Sequence, residues 1–392
     1  MQATDISADF SLNNKLFYLN HAAVSPWPVC TAETIKNFAD ENSNEGATQY
    51  LKWMEIEQQL RQNIQTLINA PSSDDIALVK NTSEALSFVA YGLDWNAGDN
   101  IVIAKQEFPS NRIVWQSLAT QGVEIIWVDL YQNLSEHNSP EDNLLAAINN
   151  KTRLLSVSSV QYADGYRMDL KKLGDYCQKN KILYCVDAIQ SIGALKFDVQ
   201  EINADFAMAD GHKWLMSPEG LGLFYCKKEL RKKLRPSQFG WRMVENQFDF
   251  DSLSWSEAQS ARKFECGSPN MLGIHALNRS IKLILERNIE LIERLLVKNS
   301  NYLVKKLETI PETVIRSDIS TNRISGIVSF RHKTIPSEVL YNELMAQRVI
   351  CAFRHGNIRF SPHYYTSTAV MDGAIEILRK IIKISSGINQ EN

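Results

Sequence analysis

Between residues 74 and 226, short apolar runs rich in β-branched residues alternate with segments whose apolar positions recur at helical spacing. The runs lie at 76–79, 101–104, 125–128, 154–157, 182–186, 206–209 and 221–225, and predict seven strands. Each is apolar almost throughout, as expected of strands buried on both faces. Strand and helix in alternation is the pattern of βαβ units, so the expected fold is α/β, with a large, mostly parallel sheet covered by helices on both sides. Upstream, Leu60, Ile64, Leu67 and Ile68 mark one helix face, which Pro71 stops.

Beyond about residue 227 the pattern changes. A basic run at 227–235 reads as a solvated turn or helix, and an irregular aromatic stretch follows as far as Phe264. After Gly273 no glycine or proline interrupts the helical positions Ile274, Leu277, Ile281, Ile284 and Leu285 until residue 308, which predicts one long helix or a pair. A smaller α/β unit comes next, with strands at 327–330 and 358–360, a helix at 338–347, and a closing helix with Ala374, Ile377, Leu378 and Ile381 on its face. The expected organisation is an N-terminal arm at 1–20, a large unit at 21–265, and a small C-terminal unit at 266–392 that includes the linking helix.

Composition narrows the function. The 392 residues suffice for two or three domains of about 100–200 residues each. A net charge of -3 provides no field to draw in nucleic acid or anionic lipid. The 6 cysteines form no CxxC pair and no ligand-like cluster, so no metal site is expected. With no apolar signal core and no run of about 18 apolar residues, a cytoplasmic protein with reduced thiols and no membrane span is expected.

Three segments carry chemistry. Asn81-Thr82-Ser83-Glu84 opens the helix after the first run, where Asn81 can cap, Glu84 can close a capping box, and Thr82 and Ser83 can donate hydroxyls to a phosphate at the positive end of the helix. Asp187 ends the run 182–186, at the sheet edge where ligands of such folds bind. Lys213 follows the run 206–209 within Asp210-Gly211-His212-Lys213-Trp214; a desolvated lysine there has an available free amine. A phosphate cradle, a strand-end acid and an imine-forming lysine are what pyridoxal phosphate requires.

At these residues the chain resembles the aminotransferase class V branch of the fold-type-I pyridoxal-phosphate enzymes. The likeness extends through Tyr18-Leu19-Asn20-His21-Ala22-Ala23, Glu107-Phe108-Pro109-Ser110-Asn111, 264–270 and 358–363. It implies Lys213 as the Schiff-base lysine, Asp187 as partner of the pyridine nitrogen, Gln190 beside the ring hydroxyl and Phe108 stacked on the ring. It implies Thr82, Ser83 and His212 on the phosphate side, and Ser268 reaching the phosphate from a neighbouring subunit of a homodimer. Arg359 would grip the carboxylate of a small amino-acid substrate, with His21 also on the substrate side.

The expected reaction is proton removal from Cα by Lys213, with return to the cofactor carbon in transamination or to Cα in epimerisation. The family look is isopenicillin-N-epimerase-like, and His21, Tyr162 and His363 are the candidates for a second base. A cysteine desulfurase or selenocysteine lyase is the alternative. Against it, the loop before Arg359, where a desulfurase carries its cysteine, holds only His355-Gly356-Asn357-Ile358, while Cys351 lies in the apolar run 349–353 and reads as a core residue. Asp210 replaces a desulfurase serine, Ser159 an asparagine near the ring oxygen, and Phe108 a histidine. A nicotinamide oxidoreductase lacks support, because no GxGxxG follows any run. Asp187, Lys213 and Arg359 together argue against a non-catalytic descendant.

Overall fold

The computed structural model describes residues 6–135, 137–385 and 387; the first five residues of the expected arm, together with 386 and 388–392 of the expected C-terminal unit, lie outside the described residues. After a short 3-10 helix (Ile6–Asp9) come strand β1 (Phe17–Tyr18) and helices α1 (Val29–Glu45) and α2 (Tyr50–Leu67). The alternating region follows as β2 (Ile76–Val79), α3 (Thr82–Gly92), β3 (Asn100–Ala104), α4 (Ser110–Gln116), β4 (Glu124–Val128), α5 (Pro140–Ala146), β5 (Thr152–Ser158), α6 (Leu170–Asn180), β6 (Leu183–Asp187), β7 (Phe206–Asp210) and β8 (Gly222–Cys226). After a short α7 (Lys228–Arg231) come α8 (Met271–Arg287), α9 (Ile289–Glu308), β9 (Thr313–Ile315), β10 (Val328–His332), α10 (Ser337–Ala346), β11 (Val349–Ile350), β12 (Ala352–Arg354), β13 (Asn357–Phe360) and α11 (Thr368–Ser385).

The large sheet has 7 strands in the order β2-β8-β7-β6-β5-β3-β4. All neighbours run parallel except at β8, which is antiparallel to β2 and β7. The reversal has a simple cause. A parallel crossover needs about a dozen residues or more, usually with a helix, and the helix-free 211–221 segment between β7 and β8 is too short for one. Successive residues of each strand point to opposite faces. Val102, Leu155, Val186 and Ala207 therefore pack with Leu60, Ile64, Leu277 and Ile281 on one side. Ile101, Leu154, Cys185 and Phe206 pack with Leu86, Val89 and Trp115 on the other.

The 273–308 pattern is a helix pair broken at Asn288, whose φ of 67° lies in the left-handed region. The apolar face of α8 packs into the core of the large sheet, whereas Leu303, Val304 and Leu307 of α9 pack into that of the small one. The change of core falls within α9, whose Ile292 still packs with the large sheet. The small sheet is antiparallel throughout, in the order β12-β13-β10-β9. β1, read from sequence as part of an arm, pairs in parallel with β11. The basic run is not simply solvated: Arg231 is buried, pairs with Asp75 at 3.3 Å and donates to the Asp74 carbonyl at 2.7 Å. No helix among the described residues is long and apolar enough to cross a membrane, and all six cysteines are free.

Candidate active site

At the carboxyl edge of the large sheet the ends of β5, β6 and β7 lie side by side, with Ser158 opposite Asp187 and Asp187 opposite Met208. A cavity of about 250 Å³ opens there, and its walls include Thr82, Phe108, Tyr162, Asp187, Lys213 and Arg359. Open α/β sheets bind ligands at this edge because strand ends and helix N-termini converge there.

Lys213 sits on the tight turn after β7, where the Met216 N–H donates to the Lys213 carbonyl at 3.0 Å. This turn presses on Gly193, whose φ is +95° and where a Cβ would lie 2.5 Å from the Trp214 carbonyl oxygen, so only glycine fits beneath the lysine. Burial pushes the Lys213 ammonium down to about 8, and the positive Arg359 adds to the shift against the opposing pull of Asp187. The free amine is accordingly accessible near neutral pH. Asp187 closes β6, and its Oδ1 accepts from the Ile189 N–H at 3.1 Å. Burial and the nearby Glu107 push its carboxyl up to about 7, so it favours a cationic partner.

The phosphate side is built on the N-terminus of α3. Asn81 Oδ1 accepts from the Glu84 N–H at 2.9 Å, while the Glu84 carboxylate reaches one residue further back than in a capping box, to the Lys80 N–H at 2.7 Å. Thr82 is only 6% exposed and its hydroxyl oxygen is buried without a hydrogen-bond partner. A buried orphan hydroxyl is costly unless a ligand satisfies it. Ser83 donates to Ser110 Oγ at 2.8 Å. The His212 ring lies 3.2 Å from Asp210 Oδ1, which also accepts from the Gly211 N–H at 2.8 Å. Asp210 therefore faces its own turn and the imidazole.

Arg359, on β13, is 2% exposed. Its Nη1 donates to the Tyr162 carbonyl at 2.6 Å, but Nε and Nη2 have no partner. Burial, reinforced by Arg354, holds the guanidinium down at about 9. A buried, half-unsatisfied guanidinium calls for a planar anion, and a carboxylate matches its fork. Phe108 stands partly exposed above the cavity, with Lys213 Nζ 5.7 Å from its ring centroid. These donors, the acid and the amine fit pyridoxal phosphate and the carboxylate of an amino acid.

The remaining expected positions divide between the cavity and its surroundings. Gln190 lines the cavity with both ends of its amide engaged: Oε1 accepts from Trp214 Nε1 at 2.8 Å and Nε2 donates to the Ala22 carbonyl at 3.0 Å. His21 lies apart from the cavity lining. It is fully buried, its Nδ1 lies 2.7 Å from the Ser361 carbonyl and its Nε2 2.8 Å from the Tyr365 hydroxyl, and burial drops it to about 4. The imidazole is therefore neutral, with both nitrogens hydrogen-bonded. His363 is buried beside it, also off the cavity, and its Nδ1 accepts from the Tyr364 N–H at 2.9 Å. Ser159 turns away from the cavity to bond Ser191 at 2.6 Å, leaving Ser158 at the wall. Ser268 is exposed and does not line this chain's cavity.

Two contributors escaped the sequence reading. Glu107, fully buried, accepts from the Ser158 N–H at 2.8 Å, from the Ser158 hydroxyl, and from Asn111 and Gln161 at 3.0 Å each. It locks the residue before Phe108 to the end of β5. Arg354 enters the cavity wall from β12. A charged residue next to an aromatic ring-stacking position was the available signal for Glu107.

Comparison with known proteins agrees with this geometry. The family model for aminotransferase class-V matches residues 17–366. The probable cysteine desulfurase of Methanothermobacter thermautotrophicus is 30% identical, over 97% of this chain and 98% of that protein. The cysteine desulfurase of Wigglesworthia glossinidia brevipalpis is 31% identical, over 98% of each. Among solved structures, the complex of the cystine C-S lyase C-DES with its reaction product cysteine persulfide superposes with a TM-score of 0.86 at 21% identity, covering 93% of this chain and 98% of that one. With a family match that spans both sheets, and with a lysine, an acid and a phosphate cradle converging on one cavity, the chain belongs to the aminotransferase class-V family of fold-type-I pyridoxal-phosphate enzymes.

Proposed function

We propose that this enzyme is a C–S lyase acting on sulfur-bearing α-amino acids of the cysteine and cystine class, eliminating the sulfur substituent to leave pyruvate and ammonia. The names of its relatives support sulfur chemistry over the transamination or epimerisation that the sequence put first. The observation that carries elimination over desulfuration is the absence of a thiol from the cavity wall. Desulfuration needs an enzyme thiolate to take the sulfur. Here Cys351 is buried between β11 and β12, its thiol pushed up to about 12 by burial, and the β12–β13 connection is the turn His355-Gly356. Elimination needs only a base at Cα and a leaving group at Cβ.

When bound, pyridoxal phosphate supplies the electron sink that makes the Cα proton of an attached amino acid acidic. Thr82, Ser83 and the N-terminus of α3 would hold its phosphate, Asp187 its ring nitrogen, and Phe108 one ring face. Arg359 binds the α-carboxylate through the donors left free by Tyr162. Lys213, whose ammonium burial lowers to about 8, takes the Cα proton as the free amine, and the C–S electron pair leaves with sulfur.

The products decide. Holoenzyme given L-cystine or L-cysteine is expected to release pyruvate catalytically, equally well in wild type and Cys351→Ser. Alanine release that disappears in Cys351→Ser would make the enzyme a cysteine desulfurase, the reading its curated relatives' names favour. Stoichiometric keto acid from amino acids lacking a Cβ leaving group would restore transamination.

A further inference from the structure

Tyr162 does more in this site than hold Arg359. Its carbonyl anchors the guanidinium, its ring meets Phe108 edge-on at 5.1 Å between centroids, and its hydroxyl lies 2.6 Å from His355 Nε2. One residue thus touches the carboxylate anchor, the lid over the lysine and an imidazole outside the cavity.

His355 occupies an unusual backbone position. It is the first residue of the turn between β12 and β13, with φ of 47°, followed by Gly356 at 75°. Such a turn demands left-handed backbone at both positions and favours Asn-Gly, so a histidine there is held in a sparsely populated conformation. The placement puts the exposed ring against the Tyr162 hydroxyl. His355 also lines an adjoining hollow of about 490 Å³ with Asp164, Gln161 and Tyr131, and Asp164 lies within electrostatic reach of it. The Tyr162–His355 pair therefore connects the reaction cavity to a second hollow.

We infer that Tyr162 is the acid that protonates the departing sulfur and that His355 is the positioning residue that recharges it. This rests on the C–S lyase reading. As the C–S bond breaks, its electron pair moves onto sulfur, and the Tyr162 hydroxyl proton passes to that sulfur. His355 Nε2 returns a proton to the phenolate oxygen, and the exposed imidazole regains one from water. Burial raises the phenol above its ordinary range, so Tyr162 stays protonated as a donor at neutral pH. Without a proton, an alkanethiolate would leave as a basic anion in a desolvated cavity.

The leaving group provides the test, with holoenzyme throughout. Cystine departs as a weakly basic persulfide, whereas S-methyl-L-cysteine departs as a strongly basic methanethiolate. Tyr162→Phe, which keeps the ring against Phe108, is expected to raise the kcat ratio of cystine over S-methyl-L-cysteine by about 100-fold, the range of a lost general acid. His355→Asn is expected to change the ratio in the same direction, with added imidazole restoring it. Equal losses on both substrates, or no loss on either, overturn the acid while leaving the lyase intact. Absence of pyruvate from both substrates with wild type overturns the lyase reading and the acid with it.

Discussion

Replacing Arg359 by methionine tests the idea that the site stores an unpaired charge for its ligand. The guanidinium is buried with two of its nitrogens unpartnered, and its fall to about 9 corresponds to a penalty of roughly 5 kcal/mol for the charged form at neutral pH. Methionine fills similar space without charge but leaves the Tyr162 carbonyl without its donor, at a cost of about 1–3 kcal/mol. The balance predicts that ligand-free, cofactor-free Arg359→Met is more stable than wild type by about 2–4 kcal/mol, in the range seen when buried charges are replaced by apolar groups. The pH dependence has a definite sign. The folded protein releases the Arg359 proton near 9, while the unfolded chain keeps it to far higher pH, so the unfolded state binds more protons above 9. Wild-type stability therefore rises with pH in that range, and the advantage of the variant shrinks. Urea denaturation at pH 7 and pH 10 reads both effects, and titration of the loaded enzymes with L-alanine, followed by cofactor absorption, reads the loss of carboxylate binding. A variant less stable than wild type at pH 7, or one that binds L-alanine as tightly, refutes the reasoning.

Lys213 is expected to be the lysine recovered after borohydride reduction of the holoenzyme, and Lys213→Ala to lose turnover by removing both the imine link and the base. In the cofactor-free protein, the rate at which pyridoxal phosphate is captured is expected to rise with pH through about 8, because only the free amine attacks the aldehyde; a midpoint near that of an ordinary lysine would contradict the burial argument. Asp187→Ala is expected to retain cofactor through the phosphate contacts yet lower kcat by about 100- to 1000-fold, as loss of a preorganised electrostatic group does. Near wild-type turnover would assign the ring nitrogen to another residue.

Apart from the half-exposed edge strand β4, the strands of the large sheet were legible because burial on both faces makes them continuous apolar runs, and each run lies within two residues of the strand that forms. The residues that extend the runs matter most: Ser158, Asp187 and Asp210 each end a strand and stand at the cavity. Their polarity hid them from an apolar pattern even as it marked them for chemistry. Lys213 and Asp187 could be singled out because each stands at or just beyond the end of a strand and is of a residue type that burial disfavours, whereas Arg359, inside β13, was indicated only by the family resemblance. The motif of His21 lies beside the site in space, but its ring points into a closed cluster with Ser361 and Tyr365. The direction of a side chain off a loop has no periodicity to reveal it. The reversed β8 and the pairing of β1 with β11 depend on connection length and on contacts across nearly the whole chain, which no local pattern encodes.

That last pairing governs how the protein is made. His21 and Ser361 bond across 340 residues of sequence, and β1 has no strand partner until β11 has been synthesised. Closing so long a loop is entropically costly, and folds dominated by distant contacts form slowly. On the ribosome the first strand emerges early and waits with its N–H and C=O groups unpaired while the βαβ region assembles. An unpaired edge of this kind is a template for pairing with other chains. Truncation ahead of Val349 would therefore damage the N-terminus as well, exposing β1 in a molecule whose large sheet could still be intact, and such fragments are expected to aggregate through an end of the chain that the deletion never touched.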